Sequence, residues 1–519
     1  MAKSGKQILQ ADTWLPKAWP ALLLALLMLF ALFSDRLWDG AKSCPPTEIG
    51  YLVDPGGRMS IAQAASPEAA GRYVVKQDNR MSLGFSRSAL WLRFALDQAP
   101  TSGPWVLVVA APWMDRIDLF LPDPQKGWQR QSTGLQQPGG SVVVGGFALA
   151  APADAPRSGY AYLRLESVLA LNAGLRLWSR AELEHHILVG AYFFGGLYGI
   201  MLAMACINFV VFLTIRDRVN LLYVLYLISM IIHQFCLQGQ ILLLPMPFWP
   251  AVPALSLVVS AFVFFFGAAF CRAFLDAKVH APAADRLLIG AQMAAAVLLV
   301  LALTNRLLWG TWLTHSLAVI GPLVAIAAGI RTIKRGYWPA RIYLLAWLVL
   351  LIGIVGWGAW SMGWLDRLRP RHMTLTVAAA LESCLLALAL AERVRMVHLE
   401  RRVLAQRERR YHQLSITDEL TGLYNQRYFW NQLASELERA HELGQPLSLL
   451  LMDLDDFKGI NDRHGHDAGD RILAGVGGLL RENVRPADTA CRYGGEEFAL
   501  ILPGADASAA MEVAERVRR

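Results

Sequence analysis

Beyond residue 184 the chain is a series of apolar runs, each long enough to cross a bilayer, and this restricts its fold more than any other feature. A spanning helix needs roughly 20 apolar residues, and in lipid its backbone must satisfy its own hydrogen bonds. Seven such runs are read, at residues 187–213, 221–244, 252–274, 287–303, 312–330, 342–364 and 373–390, so a seven-helix transmembrane bundle over 186–392 is expected. Another run, at 18–33, follows Lys3, Lys6 and Lys17 and precedes Asp35 and Arg36. No small-residue cleavage pattern follows it, and the sequence around Cys44 lacks a lipoprotein pattern, so residues 1–36 are expected to be a retained signal anchor. The composition agrees: 55% hydrophobic and 17% charged is too apolar for a soluble multidomain chain of 519 residues.

The net charge of +8 comes from Lys and Arg beside the apolar runs rather than from one basic face, which argues for membrane orientation and against a nucleic-acid partner. If the segment before the bundle is periplasmic, seven crossings bring the C-terminus to the cytoplasm. Arg216 and Arg218, then Arg272 and Lys278, then Arg331, Lys334 and Arg335 fall on the inner side accordingly. Arg367, Arg369 and Arg371 fall on the outer side and oppose it; the strongly basic juxtamembrane stretch at 392–410 decides for the orientation. The intramembrane residues Asn208, His233, Gln292 and Glu382 are candidates for function, with helix packing the commoner reason for such groups.

Residues 44–180 have a different character, with Pro, Gly and Ser between short segments at 90–96, 105–111, 117–121 and 160–165. Their length and β-branched or aromatic content predict an antiparallel all-β sandwich. It is either a packing domain or a sensor for a periplasmic ligand. Trp91, Trp113 and Trp128 are candidates to stack on a carbohydrate, although strand tryptophans more often fill a core. Cys44, Cys206, Cys236, Cys271, Cys384 and Cys491 are scattered without a CxxC pair, so neither a disulfide framework nor a zinc site is expected. After the last span, residues 393–414 predict a continuous charged helix. Met396, Leu399 and Val403 follow a 3-4 spacing, but Gln406 and Arg410 occupy the next seam positions, so a dimeric coiled coil is only weakly supported.

From residue 415 to 519 an α/β pattern begins. The apolar run 447–454 ends in carboxylates, as a buried strand delivering acids to its end would. A second strand signal at 489–493 runs into Gly494 and Gly495, which predict a tight hairpin with Glu496 and Glu497 immediately beyond it. Two acids on adjacent strand ends are what a divalent cation needs against a triphosphate, and Asp453 and Glu496 are the natural pair.

Four blocks in order carry a resemblance: DELTGLYNQR at 418–427, MDLDDFKGINDRHGHDAGD at 452–470, RPAD at 485–488 and RYGGEEF at 492–498. Together they resemble the diguanylate cyclase family, named for its Gly-Gly-Asp-Glu-Phe (GGDEF) motif. The resemblance implies an enzyme that condenses two GTP into cyclic di-GMP with Mg²⁺ or Mn²⁺. It implies that Asp453 and Glu496 bind the cation through carboxylates and Leu454 through its carbonyl. Phe457 and Lys458 would cradle phosphates with backbone amides, Asn461 and Asp470 would read guanine, and Glu497 would help organise the 3′-hydroxyl or the metal. Arg485, Asp488 and Arg516 would bind the product as inhibitor, and catalysis would need a homodimer through the cyclase domain and the preceding helix. The front half, on GAYFFGGLYGIMLAMACINFVVFLTIRDRVNLLYVLY at 190–226, is similar to bacterial seven-transmembrane receptors with diverse intracellular signalling modules.

The expected whole is multidomain: periplasmic sandwich, membrane bundle in the bacterial inner membrane among its lipids, and cytoplasmic α/β cyclase domain. The family domain continues past the helix in which Arg519 falls, so the cyclase domain is expected to be C-terminally incomplete and this chain by itself weakly active or inactive. The rival reading is an inactive receptor whose GGDEF-like domain only binds nucleotide or cyclic di-GMP. Both signature acids, Glu496 and Glu497, are present, which favours catalysis. A transporter or carbohydrate-binding membrane protein would explain the spans but not the four blocks.

Overall fold

The computed structural model describes residue 46 and residues 48–519 apart from 77–79, 86–87, 101–103, 124, 126, 137–140, 153–154, 169, 245–248 and 362–372. The expected signal anchor, Cys44 and the outer basic trio Arg367, Arg369 and Arg371 lie outside the described residues. Two compact units emerge, residues 1–393 and 394–519.

The first unit begins as an antiparallel sandwich. Its strands are β1 (Ile49–Asp54), β2 (Val74–Lys76), β3 (Arg80–Phe85), β4 (Ala89–Ala95), β5 (Trp105–Ala110), β6 (Arg116–Asp123), β7 (Gly127–Thr133), β8 (Ser141–Val143), β9 (Gly146–Ala150), β10 (Tyr160–Glu166) and β11 (Ala170–Ser179). They form a six-stranded sheet, β2-β1-β4-β10-β6-β7, and a five-stranded one, β3-β11-β5-β9-β8. The inner faces bury Leu90, Leu92, Leu107, Val109, Leu119, Leu163 and Leu175 against one another. Two single-turn helices, α1 (Ile61–Ala64) and α2 (Pro67–Ala70), are capped by Ser60 and Ser66 and cover part of the opposite face of the larger sheet. Trp91 lies wholly buried there, stacked on Phe120 at 5.5 Å, so it is core rather than an open sugar platform.

The membrane part comprises α3 (Arg180–Ile215), α4 (Arg218–Leu237), α5 (Val252–Phe274), α6 (Ala277–His280), α7 (Pro282–Leu303), α8 (Leu307–Lys334), α9 (Ala340–Ser361) and α10 (Thr374–Ile416). Seven of these helices are long and apolar enough to cross a membrane. Leu303, Trp309 and Met293 point outward where lipid would lie. The second span ends at Leu237, earlier than its apolar run predicts. Gly239 takes a left-handed φ of 69° and turns the chain into a 3-10 segment, Gln240–Leu243. That segment joins the sandwich: Ile241 and Leu242 pack into its core, and the Gly145 N–H donates to Gln238 O at 3.0 Å. A Cβ on Gly239 would stand 2.5 Å from Pro112 Cβ. Gly239→Ala is therefore expected to lower stability by about 1–3 kcal/mol, read as an earlier thermal unfolding of the detergent-solubilised protein; an unchanged transition would contradict this joint.

Several polar groups inside the bundle are tied between helices. Gln238 Nε2 donates to Thr376 Oγ1 at 3.1 Å, and Thr376 Oγ1 donates to Gln234 Oε1 at 3.2 Å. Tyr226 donates to the fully buried Glu382 at 2.9 Å, Tyr223 donates to the Ser383 carbonyl, and Arg393 pairs with Asp217. Gln292 accepts from Arg272 at 2.9 Å, His233 meets Ser260 at 3.2 Å, and Asn208 bonds the Met204 carbonyl of its own helix. Most of these contacts converge on α10, which continues as one helix from the last span to Ile416.

The second unit contains α11 (Gln426–Leu443), β12 (Leu447–Asp453), α12 (Phe457–His464), α13 (His466–Asn483), β13 (Thr489–Arg492), β14 (Glu497–Pro503) and α14 (Ala507–Arg518). Its sheet runs β12-β14-β13, antiparallel throughout. Leu473, Leu480, Ala510 and Val513 of α13 and α14 cover one face. Phe429 of α11 covers Cys491, Ala499 and Ile501 on the other. The expectation of a fully buried β12 is corrected here. Leu450 and Met452 face the core, but Leu449 and Leu451 are 42% and 65% exposed, because β12 is an edge strand and α11 packs over the other end of the sheet.

Candidate active site at the end of the three-stranded sheet

The site is built by the β12–β14 ladder. Its register sets Asp453 opposite Glu497, which brings two carboxylates to the same end of adjacent strands. Glu496 is the residue before Glu497 and lies in the bend rather than beyond it, a correction to the tight hairpin expected from the two glycines. The bend at residues 493–496 is closed by the N–H groups of Tyr493 and Gly494, which donate to Glu497 O at 2.8 and 3.1 Å. A side chain on Gly494 would overlap the Glu497 carboxylate, whereas nothing stands within 4 Å of the place a Cβ on Gly495 would take. The second glycine thus leaves the backbone open to a ligand.

Arg492 shapes this bend. Its guanidinium donates to Gly495 O at 2.7 and 3.2 Å, and its Nη1 reaches both Asp418 oxygens at 3.2 Å. Asp418 also accepts from Thr421 N at 2.9 Å and Thr421 Oγ1 at 2.8 Å. Asp418 and Arg492 lie in the DELTGLYNQR and RYGGEEF blocks, 74 residues apart, and no local pattern marks either as a brace. Burial works against the Asp418 charge, but the Thr421 N–H and hydroxyl and the Arg492 guanidinium outweigh it and hold the carboxyl below its ordinary range. A carboxyl depressed in the folded state stabilises fully above its unfolded pKa, and that stability is lost as pH falls through the folded value. Protection of the amides of residues 489–503 from exchange, relative to their intrinsic rates, is therefore expected to fall below about pH 4, with a smaller change in Asp418→Asn; equal acid sensitivity in both would contradict the assignment.

Past Asp453 the chain turns at Asp456, which adopts a left-handed φ of 53°, and enters α12 at Phe457. The Phe457 N–H has only a long 3.4 Å bond to Leu454 O. The first N–H groups of α12, including that of Lys458, are the unsatisfied donors of a helix start, suited to phosphate oxygens. Asn461 carries a buried Oδ1 with no partner, an acceptor suited to the N–H edge of a base. A Cβ at Gly469 would overlap that oxygen, so this glycine keeps the acceptor clear, and Asp470 follows it on α13. Arg485 and Asp488 form their own turn, with Asp488 Oδ2 accepting from Arg485 N at 2.9 Å. Arg516 donates to Asn483 O at 2.9 Å, two residues before Arg485, so these three residues share one edge. Burial pushes the Cys491 thiol up to about 12, which excludes it as a nucleophile.

No group of three or more His, Cys, Asp or Glu among the described residues is arranged to hold a metal by itself. Mg²⁺ does not require one, since it is commonly held by one or two carboxylates with substrate phosphates and water completing its shell. Asp453, Glu496 and the weakly engaged Leu454 carbonyl are hard oxygen donors of that kind, so the residues fit the ion.

Three family models match the chain in succession. They are 7TMR-DISM extracellular 2 over residues 47–179, 7TM diverse intracellular signalling over 190–393, and diguanylate cyclase, GGDEF domain, over 415–519. With the seven spanning helices they define a multi-pass membrane protein with an extracellular β domain and an intracellular-signalling module. More narrowly, it joins a seven-transmembrane region of the diverse intracellular signalling type to a C-terminal GGDEF domain. Response regulator PleD of Caulobacter vibrioides is 50% identical over 106 residues, 20% of this chain and 23% of that protein. Diguanylate cyclase DgcP of Pseudomonas aeruginosa is 39% identical over 130 residues, 25% and 19% respectively. The solved coiled coil and GGDEF domain of DgcB from Caulobacter crescentus, in complex with c-di-GMP, is 32% identical, covering 25% of this chain and 68% of that one with a TM-score of 0.24. The chain spans about a fifth of the length of these two curated relatives.

Proposed function

We propose that the protein is a diguanylate cyclase of the bacterial inner membrane, condensing two GTP into cyclic di-GMP in the cytoplasm under control of its periplasmic sandwich. The observation that carries this reading is the ladder that sets Asp453 opposite Glu497, with Glu496 held in the adjoining bend.

Asp453, Glu496 and the Leu454 carbonyl would hold Mg²⁺ or Mn²⁺, whose bound charge supplies electrostatic stabilisation of the triphosphate as the α-phosphate is attacked. The amides of Phe457 and Lys458 take the outer phosphates. Asn461 Oδ1 and the Asp470 carboxylate accept from the guanine N–H and amino groups. Glu497 orients the 3′-hydroxyl or steadies the metal set. One unit binds one GTP, so two chains must face each other, each 3′-hydroxyl attacking the partner's α-phosphate and releasing pyrophosphate. The unbroken α10 is suited to bring the two cyclase domains together and to carry a rearrangement from the membrane. Arg485, Asp488 and Arg516 bind the product as a feedback inhibitor, where guanidinium groups supply paired donors and stacking planes.

Membranes carrying the protein should consume GTP only when Mg²⁺ or Mn²⁺ is present. GTP that binds but is recovered unchanged would leave a nucleotide-binding receptor instead.

A further inference from the structure

On the outer face of the six-stranded sheet α1 and α2 bury Phe120 and Tyr162, and beside this covered part Tyr160 stays open to solvent. The sheet's register aligns Gly50, Arg93, Tyr162, Phe120 and Arg130 in one row across β1, β4, β10, β6 and β7. Arg93 thus stands half-buried on a central strand. Its guanidinium carbon is 4.6 Å from the Tyr73 ring centre and 5.2 Å from that of Tyr160, and it also meets the Tyr162 phenol. Gly50 makes room for it, since a Cβ there would come within 2.9 Å of Arg93 Cγ and Nε. The neighbouring Arg116, Arg130 and Arg164 gather round Asp118 at 2.9, 2.8 and 3.6 Å. Among the described residues Arg93 has no such carboxylate. Tyr160 is 50% exposed, so solvent reaches the ring that frames the guanidinium. Trp128, half-buried, lies edge-on 5.3 Å from Tyr162.

We infer that this face binds a small carboxylate carried on a ring, with Arg93 gripping the carboxylate and Tyr160 and Trp128 taking the flat body. A cation partly withdrawn from water, with no acid beside it among the described residues, favours a ligand that brings a negative charge. The planar guanidinium offers paired donors that match a carboxylate, and its tyrosine frame fixes the orientation of that fork. Half-exposed aromatic faces add apolar contact for a ring, sugar or aromatic. The inference rests on the sandwich being the sensor of the proposed receptor, and it names the ligand class.

Tryptophan fluorescence of the nanodisc-embedded protein tests it by titration with galacturonate and benzoate, with their neutral counterparts galactose and benzamide, and with inorganic phosphate. At least one ring carboxylate should bind about 10-fold or more tightly than its neutral counterpart, and the responding arm tells a sugar acid from an aromatic one. Arg93→Gln should abolish that preference, and Tyr160→Ala, at an exposed position, should weaken carboxylate binding with the melting temperature retained. Neither carboxylate exceeding its neutral counterpart, phosphate binding as tightly as the ring acids, or full binding by Arg93→Gln would each overturn the inference. If Arg93→Gln fails to fold, the Tyr160→Ala titration decides. Because the Arg93→Gln and Tyr160→Ala variants place the binding on the sandwich, a failure of cyclic di-GMP synthesis would count against the cyclase and not against this site.

Discussion

Glu496→Gln is expected to lower cyclic di-GMP formation by on the order of 10²–10³ while leaving insertion and folding intact. The substitution keeps shape and removes the charge that would hold the divalent cation. The bonds that form the bend run from Tyr493 and Gly494 to Glu497 O and from Arg492 to Gly495 O, and none uses the Glu496 side chain. A loss of activity would therefore not be a loss of structure. Product formation and thermal unfolding, measured on the same membrane preparation, separate the two; activity within a few-fold of wild type would remove Glu496 from the metal site.

Arg492→Ala should destabilise the second unit by about 2–3 kcal/mol, with loss of turnover as well. It deletes two bonds to Gly495 O and leaves Asp418 without its cation, at a place where the two side chains are only 18% and 23% exposed. Arg492→Lys should recover little, because a single ammonium cannot span Asp418 and the Gly495 carbonyl together. A double-mutant cycle with Asp418→Asn isolates the pair, and a coupling of about 1–3 kcal/mol is expected. Additive effects would show that the two residues act separately and that the bend is held by its backbone alone.

The membrane part was legible because lipid imposes a length and composition on every spanning helix, and seven runs answered it. The end of the second span was not, since Ile241 and Leu242 are as apolar as a span but are buried in the sandwich core through a glycine turn. In residues 44–180 the segments at 90–96, 105–111, 117–121 and 160–165 announce strands locally, and others do not. β7, with Gln129, Arg130 and Gln131, sits at a sheet edge, and β11 owes its place to pairing with β3 and β5 rather than to local pattern. In the cyclase unit the apolar run of β12 resembled a buried strand, yet burial depends on what packs above it, which no local run of residues encodes. The acids of the candidate site were readable from type and order. The register that faces Asp453 with Glu497, the Asp418–Arg492 brace and the unpartnered Asn461 oxygen were not, because they join segments up to 74 residues apart.

The most direct test is mass spectrometry of the nucleotides formed when membranes bearing the protein receive GTP and Mg²⁺. Cyclic di-GMP, with two pyrophosphates released per molecule formed, is the predicted product, and it should vanish when the cation is chelated. GTP returned intact, or only GDP and phosphate, would contradict a site in which Asp453 and Glu496 present one guanosine triphosphate to another.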